Sequence, residues 1–332
     1  MLNGRLFKRR RSVALCWCGS GSPRRSCHAD PTDFLRRPVE LGTVSAQRAV
    51  PDHIVRPDYV RLGRVTTPTG PQIQTAESLE RLRRAGNVAA EVLLAAGRAV
   101  APGITTDELD AIAHDTYLAH GAYPSTLGYY GFPKSICTSV NGVICHGIPD
   151  SRPLEDGDIV NIDVTAYVEG MHGDTSATFA VGTVDEATHT LIDVTRAATL
   201  RGIAAIRHGV PLQSIAEAIE PYAASFGFGV VAEYGGHGIG QTFHTDPHVH
   251  HCVSRGDDTM LVAGMSLTVE PMLYSGRPEF TQADDGWTEH VDDSMVSAQF
   301  EHTVVVTDTG AEVITVTADG RSAVDGLLDS VS

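Results

Sequence analysis

Two apolar runs, residues 159–167 and 171–181, flank the tripeptide Val168-Glu-Gly170, and each carries an aspartate, Asp163 and Asp174. Runs of this length around a glycine-bearing turn pair as an antiparallel hairpin. A turn centred between Val168 and Glu169 sets the two carboxylates opposite one another, and a turn one residue later sets them on the diagonal. Either way their Cβ atoms lie within about 5–8 Å. Facing carboxylates repel unless something neutralises them, and a divalent cation does so. Two solvated aspartates on an outer strand are the plain alternative, which the apolar neighbours Val160, Ile162, Val164 and Phe179 oppose. The chain must therefore build a largely buried sheet around an acidic pair.

The pattern on either side sets the fold class. Leu79, Leu82, Val88, Ala89, Val92, Leu93 and Ala96 recur at helical spacing from about Thr75, and Pro102-Gly103 stops that helix. Thr105-Thr-Asp-Glu108 is a capping box, opening a second helix with Leu109, Ile112, Ala113 and Tyr117 on one face and Gly121 at its end. Period-two runs follow at 136–140 and 143–145, flanking Asn141-Gly142, a type I′ hairpin signal. After the acidic hairpin come helices over 186–208 and 212–226. The tail returns to strands at 266–269, 300–307 and 312–316. Segregated helices and strands make this an α+β chain.

Composition bounds the function. The 332 residues are 42% hydrophobic and 20% charged, ordinary for a globular protein and unlike a disordered chain, a collagen or a disulfide scaffold. No apolar run reaches the roughly 18 residues that cross a bilayer. The net charge of −16 is uneven: residues 1–37 carry nine Lys/Arg and two Asp/Glu, while the remainder is strongly acidic. An acidic body is a poor nucleic-acid binder. Neither a DNA partner nor a membrane partner is expected, and a monomer is. The apolar stretch from Val13 to Cys18 is too short for a signal h-region, so the reading is cytoplasmic. Residues 31–74 are rich in proline and read as an extended linker draped over a neighbour.

Three more residues extend the acidic pair. His237 lies in Gly235-Gly-His-Gly-Ile-Gly240, where glycines let the backbone pass close to a ligand; alone, an incidental histidine in a glycine-rich loop is the better reading. Glu270 ends the run Leu267-Thr-Val-Glu, and Glu301 interrupts the apolar run 298–304. Such glutamates are costly in a strand unless paired. Two aspartates, one histidine and two glutamates suit Mn²⁺, Fe²⁺, Co²⁺ or Zn²⁺. Five ligands exceed one tetrahedral zinc and fit a two-metal centre. His248, His250 and His251 resemble a ligand cluster but read as a solvated loop. The Gly235–Gly240 run lacks the lysine and the strand-to-helix context of a nucleotide loop.

At this point the chain resembles type I methionine aminopeptidase, a family of the pita-bread fold. The resemblance spans residues 75–318. Its runs are Leu127-Gly-Tyr-Tyr-Gly-Phe-Pro-Lys-Ser135, Val143-Ile-Cys-His-Gly-Ile-Pro-Asp150, Asn161-Ile-Asp-Val-Thr165, His172-Gly-Asp-Thr-Ser176, Gly236-His-Gly-Ile-Gly240, Thr268-Val-Glu-Pro-Met272 and Phe300-Glu-His-Thr-Val-Val305. It implies removal of the initiator methionine from nascent chains, with a small second residue preferred. It implies two divalent ions bridged by Asp174 and Glu301, one completed by His237 and Glu270, the other chelated by Asp163. A hydroxide between the ions would attack the first peptide bond, with Glu270 shuttling the proton. His146 and His244 would hydrogen-bond the substrate and the oxyanion. The methionine cup would be Tyr129, Phe132, Cys137, Phe243 and Trp287, with Thr126 where some members carry cysteine. Asn141, Val143 and Ser297 match a monovalent-cation site of some members. The alternatives are an Xaa-Pro aminopeptidase or dipeptidase of the same fold, and an inactive pita-bread binding module. The chain departs from the first in having no large N-terminal domain and from the second in keeping every ligand.

The head carries a second motif. Cys16, Cys18, Cys27 and His28 give C-x-C-x₈-C-H, three thiolates and an imidazole that satisfy tetrahedral zinc, with Gly19-Ser-Gly21 for the turn. This resembles the SEC-C motif, with Ser22-Pro-Arg-Arg-Ser26 where lysine and tyrosine are common. A basic tail with incidental cysteines is the alternative. A basic zinc fold beside a domain acting on nascent chains points to the ribosome as its docking partner. The expected divisions are a head at 1–30, a linker at 31–74, a catalytic domain at 75–318 and a tail at 319–332.

Overall fold

The computed structural model describes residues 39–66, 70–253, 259–275, 280–291 and 296–324. The zinc-motif residues Cys16, Cys18, Cys27 and His28 lie outside them. Helices α1 (Asp58–Leu62), α2 (Ala76–Arg98) and α3 (Thr106–Ala119) come first, followed by strands β1 (Tyr123–Pro124), β2 (Cys137–Val140), β3 (Val143–Cys145), β4 (Ile159–Val168) and β5 (Met171–Ala180). Next come α4 (Glu186–Ala204), α5 (Ser214–Ser225), β6 (Phe228–Val230), β7 (Gly236–Gly238), β8 (Thr245–Val249), β9 (Ser266–Val269) and β10 (Met272–Ser275). The chain closes with β11 (Phe280–Gln282), β12 (Glu289–Val291), β13 (Ser297–Gln299), β14 (Glu301–Val306) and β15 (Ala311–Val313). Among the described residues no helix is long and apolar enough to cross a membrane.

The main sheet is antiparallel, in the order β1-β4-β5-β14-β9-β7-β8, with β2 beside β4 and β15 beside β14. Each half carries its own helices and its own core. Leu93, Leu109 and Tyr117 of α2 and α3 pack on Val160, Ile162 and Val164 of β4. Leu191, Ala198, Ile215 and Ile219 of α4 and α5 pack with Leu267, Val269 and Val304. The α+β reading holds. Both early helices begin as their caps dictate: Thr75 and Thr105 each close a capping box.

The acidic hairpin forms in the later of its two registers. Asp163 faces Ser176 and Thr165 faces Asp174, so the two aspartates are diagonal. The turn falls on Glu169 and Gly170, both at positive φ, as a type I′ turn requires. The other hairpin expectation fails. β2 pairs with β4 and β3 with β12, not with each other. Only Asn141 of Asn141-Gly142 has positive φ. Asn141 is claimed by tertiary partners instead: its side chain bonds Asp158 and the amide of Ile159, and its carbonyl accepts from Ser297.

Helix α4 stops at Ala204 rather than 208, because the amides of His208 and Gly209 are taken by the carbonyls of Thr307 and Leu261. The apolar run 298–304 is not one strand. It breaks at Phe300, where the chain passes from β13 beside β10 to β14 between β5 and β9. Glu301 therefore opens a strand rather than sitting in its middle.

The segment 39–66 contains α1 but no strand. It lies on the first half of the fold. Arg48 Nε pairs with buried Asp110 at 3.0 Å, and His114 Nε2 lies 3.1 Å from the Ala49 carbonyl. Ile54 packs with Tyr123 and Leu127. Lys134, fully buried, bonds Ser45 and Asp107.

Candidate metal centre and substrate cavity

The centre of the sheet carries the acidic cluster. β4 and β5 supply Asp163 and Asp174, β14 supplies Glu301, β7 supplies His237, and Glu270 follows the last residue of β9. Strand pairing of β5, β14, β9 and β7 brings residues far apart in sequence onto adjoining strands. Asp174, His237 and Glu301 each offer one ligand atom, all within 4.8 Å of one another. His237 Nε2 is 3.7 Å from Asp174 Oδ2 and 3.7 Å from Glu270 Oε1. Asp163 lies diagonally across the β4–β5 pair from Asp174.

The surroundings aim these groups inward. His237 Nδ1 lies 3.1 Å from the Gly238 carbonyl, so it carries the proton and leaves Nε2 unprotonated toward the carboxylates. Thr165 Oγ1 donates to Asp174 Oδ1 at 2.8 Å. Thr268 Oγ1 donates to Glu270 Oε1 at 2.7 Å, and Gln299 Nε2 to its other oxygen at 3.2 Å. The backbone amide of Glu270 donates to His251 Nε2 at 3.1 Å. His251 is thus buried and bonded beside the site, contrary to the solvated-loop expectation. The glycines around His237 also serve packing. A Cβ on Gly236 would stand 2.2 Å from the Thr268 carbonyl oxygen, and one on Gly238 2.1 Å from that of Asp246. They admit β7 between β8 and β9, while Gly235 borders the cavity beside the acidic cluster.

Burial and mutual repulsion set the electrostatics. Burial raises Asp163 to about 7 and Glu270 to about 8. Burial, then the neighbouring carboxylates, pushes Asp174 and Glu301 well above the usual range. Burial lowers His237 to about 4. Glu301 Oε1 is buried with no hydrogen-bond partner among the described residues. An orphaned carboxylate oxygen among three other buried or half-buried carboxylates and a neutral imidazole fits a site for cations, which supply the missing partner and positive charge.

The cluster forms one wall of a cavity of about 500 Å³. The other walls hold every expected cup residue: Tyr129, Phe132, Cys137, Phe243 and Trp287, with Thr126, His146 and His244. Cys137 is brought there by register, since it faces Asp163 across β2 and β4. Trp287 is carried between β11 and β12, with β12 paired to β3, and its ring meets Phe132 at 5.2 Å. Tyr129 stacks on His244 at 5.1 Å, with its hydroxyl 3.0 Å from His244 Nδ1. His146 adopts positive φ at 57°. Burial lowers both His146 and His244, keeping them neutral. Asn141 and Ser297 are joined backbone to backbone, away from this lining.

Sequence reasoning missed Thr165, Tyr234 and Met272 in the lining, and Thr268 and Gln299 behind it. Thr165, Thr268 and Gln299 each stand two residues from a candidate ligand, so period-two spacing was a usable signal.

The sequence pattern of metallopeptidase family M24 matches residues 80–308. The chain belongs to metallopeptidase family M24. Similarity within M24 runs furthest toward one branch. "Methionine aminopeptidase 2" of Mycobacterium tuberculosis is 51% identical over 280 residues, covering 84% of this chain and 98% of that protein. "Methionine aminopeptidase 1D, mitochondrial" of Homo sapiens is 47% identical over 284 residues, covering 85% and 84%. The crystal structure of methionine aminopeptidase from Rickettsia prowazekii superposes with a TM-score of 0.72 at 44% identity, covering 74% of this chain and all of that one. The fold is accordingly the M24 pita-bread fold.

Proposed function

We infer that this M24 chain is a methionine aminopeptidase that removes the initiator methionine from new proteins. One observation carries the inference. A cup of aromatic rings with a cysteine and a buried carboxylate–imidazole cluster share one cavity. A thioether chain packs well on rings and sulfur, which sets its peptide bond beside the cluster.

Asp163, Asp174, His237, Glu270 and Glu301 would hold two divalent ions. Such ions, when bound, lower the pKa of water and polarise a carbonyl. The side chains then divide the work. Glu270, steadied by Thr268, Gln299 and His251, accepts a proton at a carboxylate oxygen from the attacking water and releases it to the departing amine nitrogen. With the Tyr129 hydroxyl donating a hydrogen bond to His244 Nδ1, the His244 proton sits on Nε2, where it can be donated in a hydrogen bond to the substrate and its developing oxyanion. His146 is the second donor. By family resemblance, a small second residue is preferred. The head would bind zinc through Cys16, Cys18, Cys27 and His28 and dock at the ribosome, and the enzyme would act as a cytoplasmic monomer. Charge and thiol spacing support the head.

The test is a peptide panel. Protein stripped of metal and reloaded with Mn²⁺, Fe²⁺ or Co²⁺ is offered Met-Ala-Ser, Met-Leu-Ser and Ala-Pro-Ser. Cleavage of the first alone is expected. Cleavage of Ala-Pro-Ser moves the chain to proline-directed peptidases, and no cleavage with any metal makes it a binding module.

A further inference from the structure

The M24 match begins at residue 80, yet an earlier residue braces the substrate cavity. Tyr59, in α1, points into the first half of the fold. Its hydroxyl donates to the Ser125 carbonyl. Its ring meets that of Tyr129 edge-on, with centroids 5.1 Å apart and planes at 82°. On its other side it lies 6.2 Å from His172, with planes at 22°. Tyr129 then touches Phe243 at 4.8 Å and His244 at 5.1 Å. His244 lies 4.1 Å from His237, the candidate ligand.

Phe243, His244 and the neighbouring Tyr130 also meet the Tyr129 ring, but Tyr59 is the contact that comes from outside the matched domain. Tyr129 starts a three-residue 3₁₀ turn that follows Gly128 at φ 82° and ends on Gly131 at φ 88°, with Tyr130 at φ 45° between. Glycines and a left-handed tyrosine make that turn a weak support for a ring whose position matters. Tyr129 must do two things at once. It walls the cup, and its hydroxyl sets which nitrogen of His244 carries the proton. An edge-to-face partner holds a ring's plane as well as its place.

We propose that Tyr59 is a positioning residue for substrate: it locks Tyr129, and through it the donor tautomer of His244, so that the segment before the family domain completes the active site. The proposal rests on the methionine aminopeptidase reading. Tyr59 touches none of the five candidate metal ligands among its described contacts, so its effect is separable from metal binding.

The experiment uses the full chain loaded with Mn²⁺ and Met-Ala-Ser as substrate. Tyr59→Leu, which stays apolar and loses the ring, is expected to lower kcat/KM about 3- to 10-fold, the size of an aromatic pair's contribution. Mn²⁺ affinity by calorimetry should not change. Tyr59→Phe, which keeps the ring, should stay near wild type. In a Tyr129→Phe background, which has already lost the hydroxyl to His244, Tyr59→Leu should cost less than it does alone. If the leucine variant melts early, Tyr59→Met takes its place, since a flexible thioether fills irregular gaps.

Three results overturn the proposal: a non-aromatic variant as active as wild type, a phenylalanine variant as impaired as the leucine one, or strict additivity with Tyr129→Phe. Failure of the underlying reading looks different. Wild-type protein would then leave Met-Ala-Ser intact with every metal, and both readings would fall together.

Discussion

At the scale of single residues, the centre is a set of groups held away from their comfortable ionisation. Glu270 is moved from an ordinary 4.5 to about 8 and Asp163 from 3.8 to about 7, both by burial. Their folded values lie above their unfolded ones, so the native state binds these protons more tightly. The stability this gives is complete below about pH 4 and is lost as pH rises through 7 and 8. The buried histidines act in another window. His237 near 4 and His251 near 3 are depressed by burial, and they cost stability only as pH falls below about 6.5. Metal-free protein should therefore melt at progressively lower temperature between pH 6.5 and 8, and Mn²⁺ should abolish that slope. Glu301→Gln gives the orphaned position a group that stays neutral at every pH. It should raise metal-free stability at pH 8 by about 1–3 kcal/mol, the cost of a buried unsatisfied group, and cut Mn²⁺ affinity and activity severely. Melting scans with and without metal check both. A wild-type slope unaffected by Mn²⁺ would falsify the cation reading of the cluster.

At the scale of elements, pairing rather than propensity decides what each strand presents. β4 and β5 settle with the turn at Glu169-Gly170, and the aspartates become diagonal neighbours backed by Thr165. The break at Phe300 lets Gln299 reach Glu270 while Glu301 enters the main sheet. β7 is threaded between β8 and β9 only because its flanking residues have no side chain. Gly238→Ala brings a methyl against the Asp246 carbonyl and should cost about 1–3 kcal/mol by overpacking. It should also weaken Mn²⁺ binding, since His237 Nδ1 is anchored on the Gly238 carbonyl. Denaturant melts and calorimetry give the two numbers, and unchanged metal affinity would mean that β7 is not what aims His237.

At the scale of the whole molecule, two helix-backed halves meet at a polar centre, and an earlier segment is laid over one of them. Arg48, buried Lys134 and Tyr59 tie that segment to α3 and to the loop after β1. The charge of the chain divides the same way, with a basic head before an acidic body. If the head serves docking to the anionic ribosome, full-length protein should co-sediment with ribosomes at low salt and release as salt rises. Protein lacking residues 1–38 should stay in the supernatant while still cleaving Met-Ala-Ser. Equal co-sedimentation of the two would remove the head from the account.

Local signals were enough wherever local physics decides. The capping boxes at Thr75 and Thr105 started helices because their side chains satisfy nearby amides. The apolar runs at 159–167 and 171–181 paired because a tight turn joins them. Four carboxylates in apolar runs, Asp163, Asp174, Glu270 and Glu301, were marked by the cost of burying them, whereas His237 in its glycine-rich loop was marked only by the company of the other four. Long-range competition escaped the one-dimensional pattern. Asn141-Gly142 reads as a hairpin, but the Asn141 side chain and carbonyl find better partners at Asp158 and Ser297. His251 reads as solvated, but the fold closes over it and gives it the Glu270 amide. Tyr59 sits in a proline-rich stretch with no periodicity, and only the folded chain sets its ring against Tyr129. The sequence by itself determined which residues could bear the chemistry, because burial energy is written in each residue and its near neighbours. The tertiary structure alone decided which groups hold them in place, because a hydrogen-bond donor takes the best acceptor in space, however far away it lies along the chain.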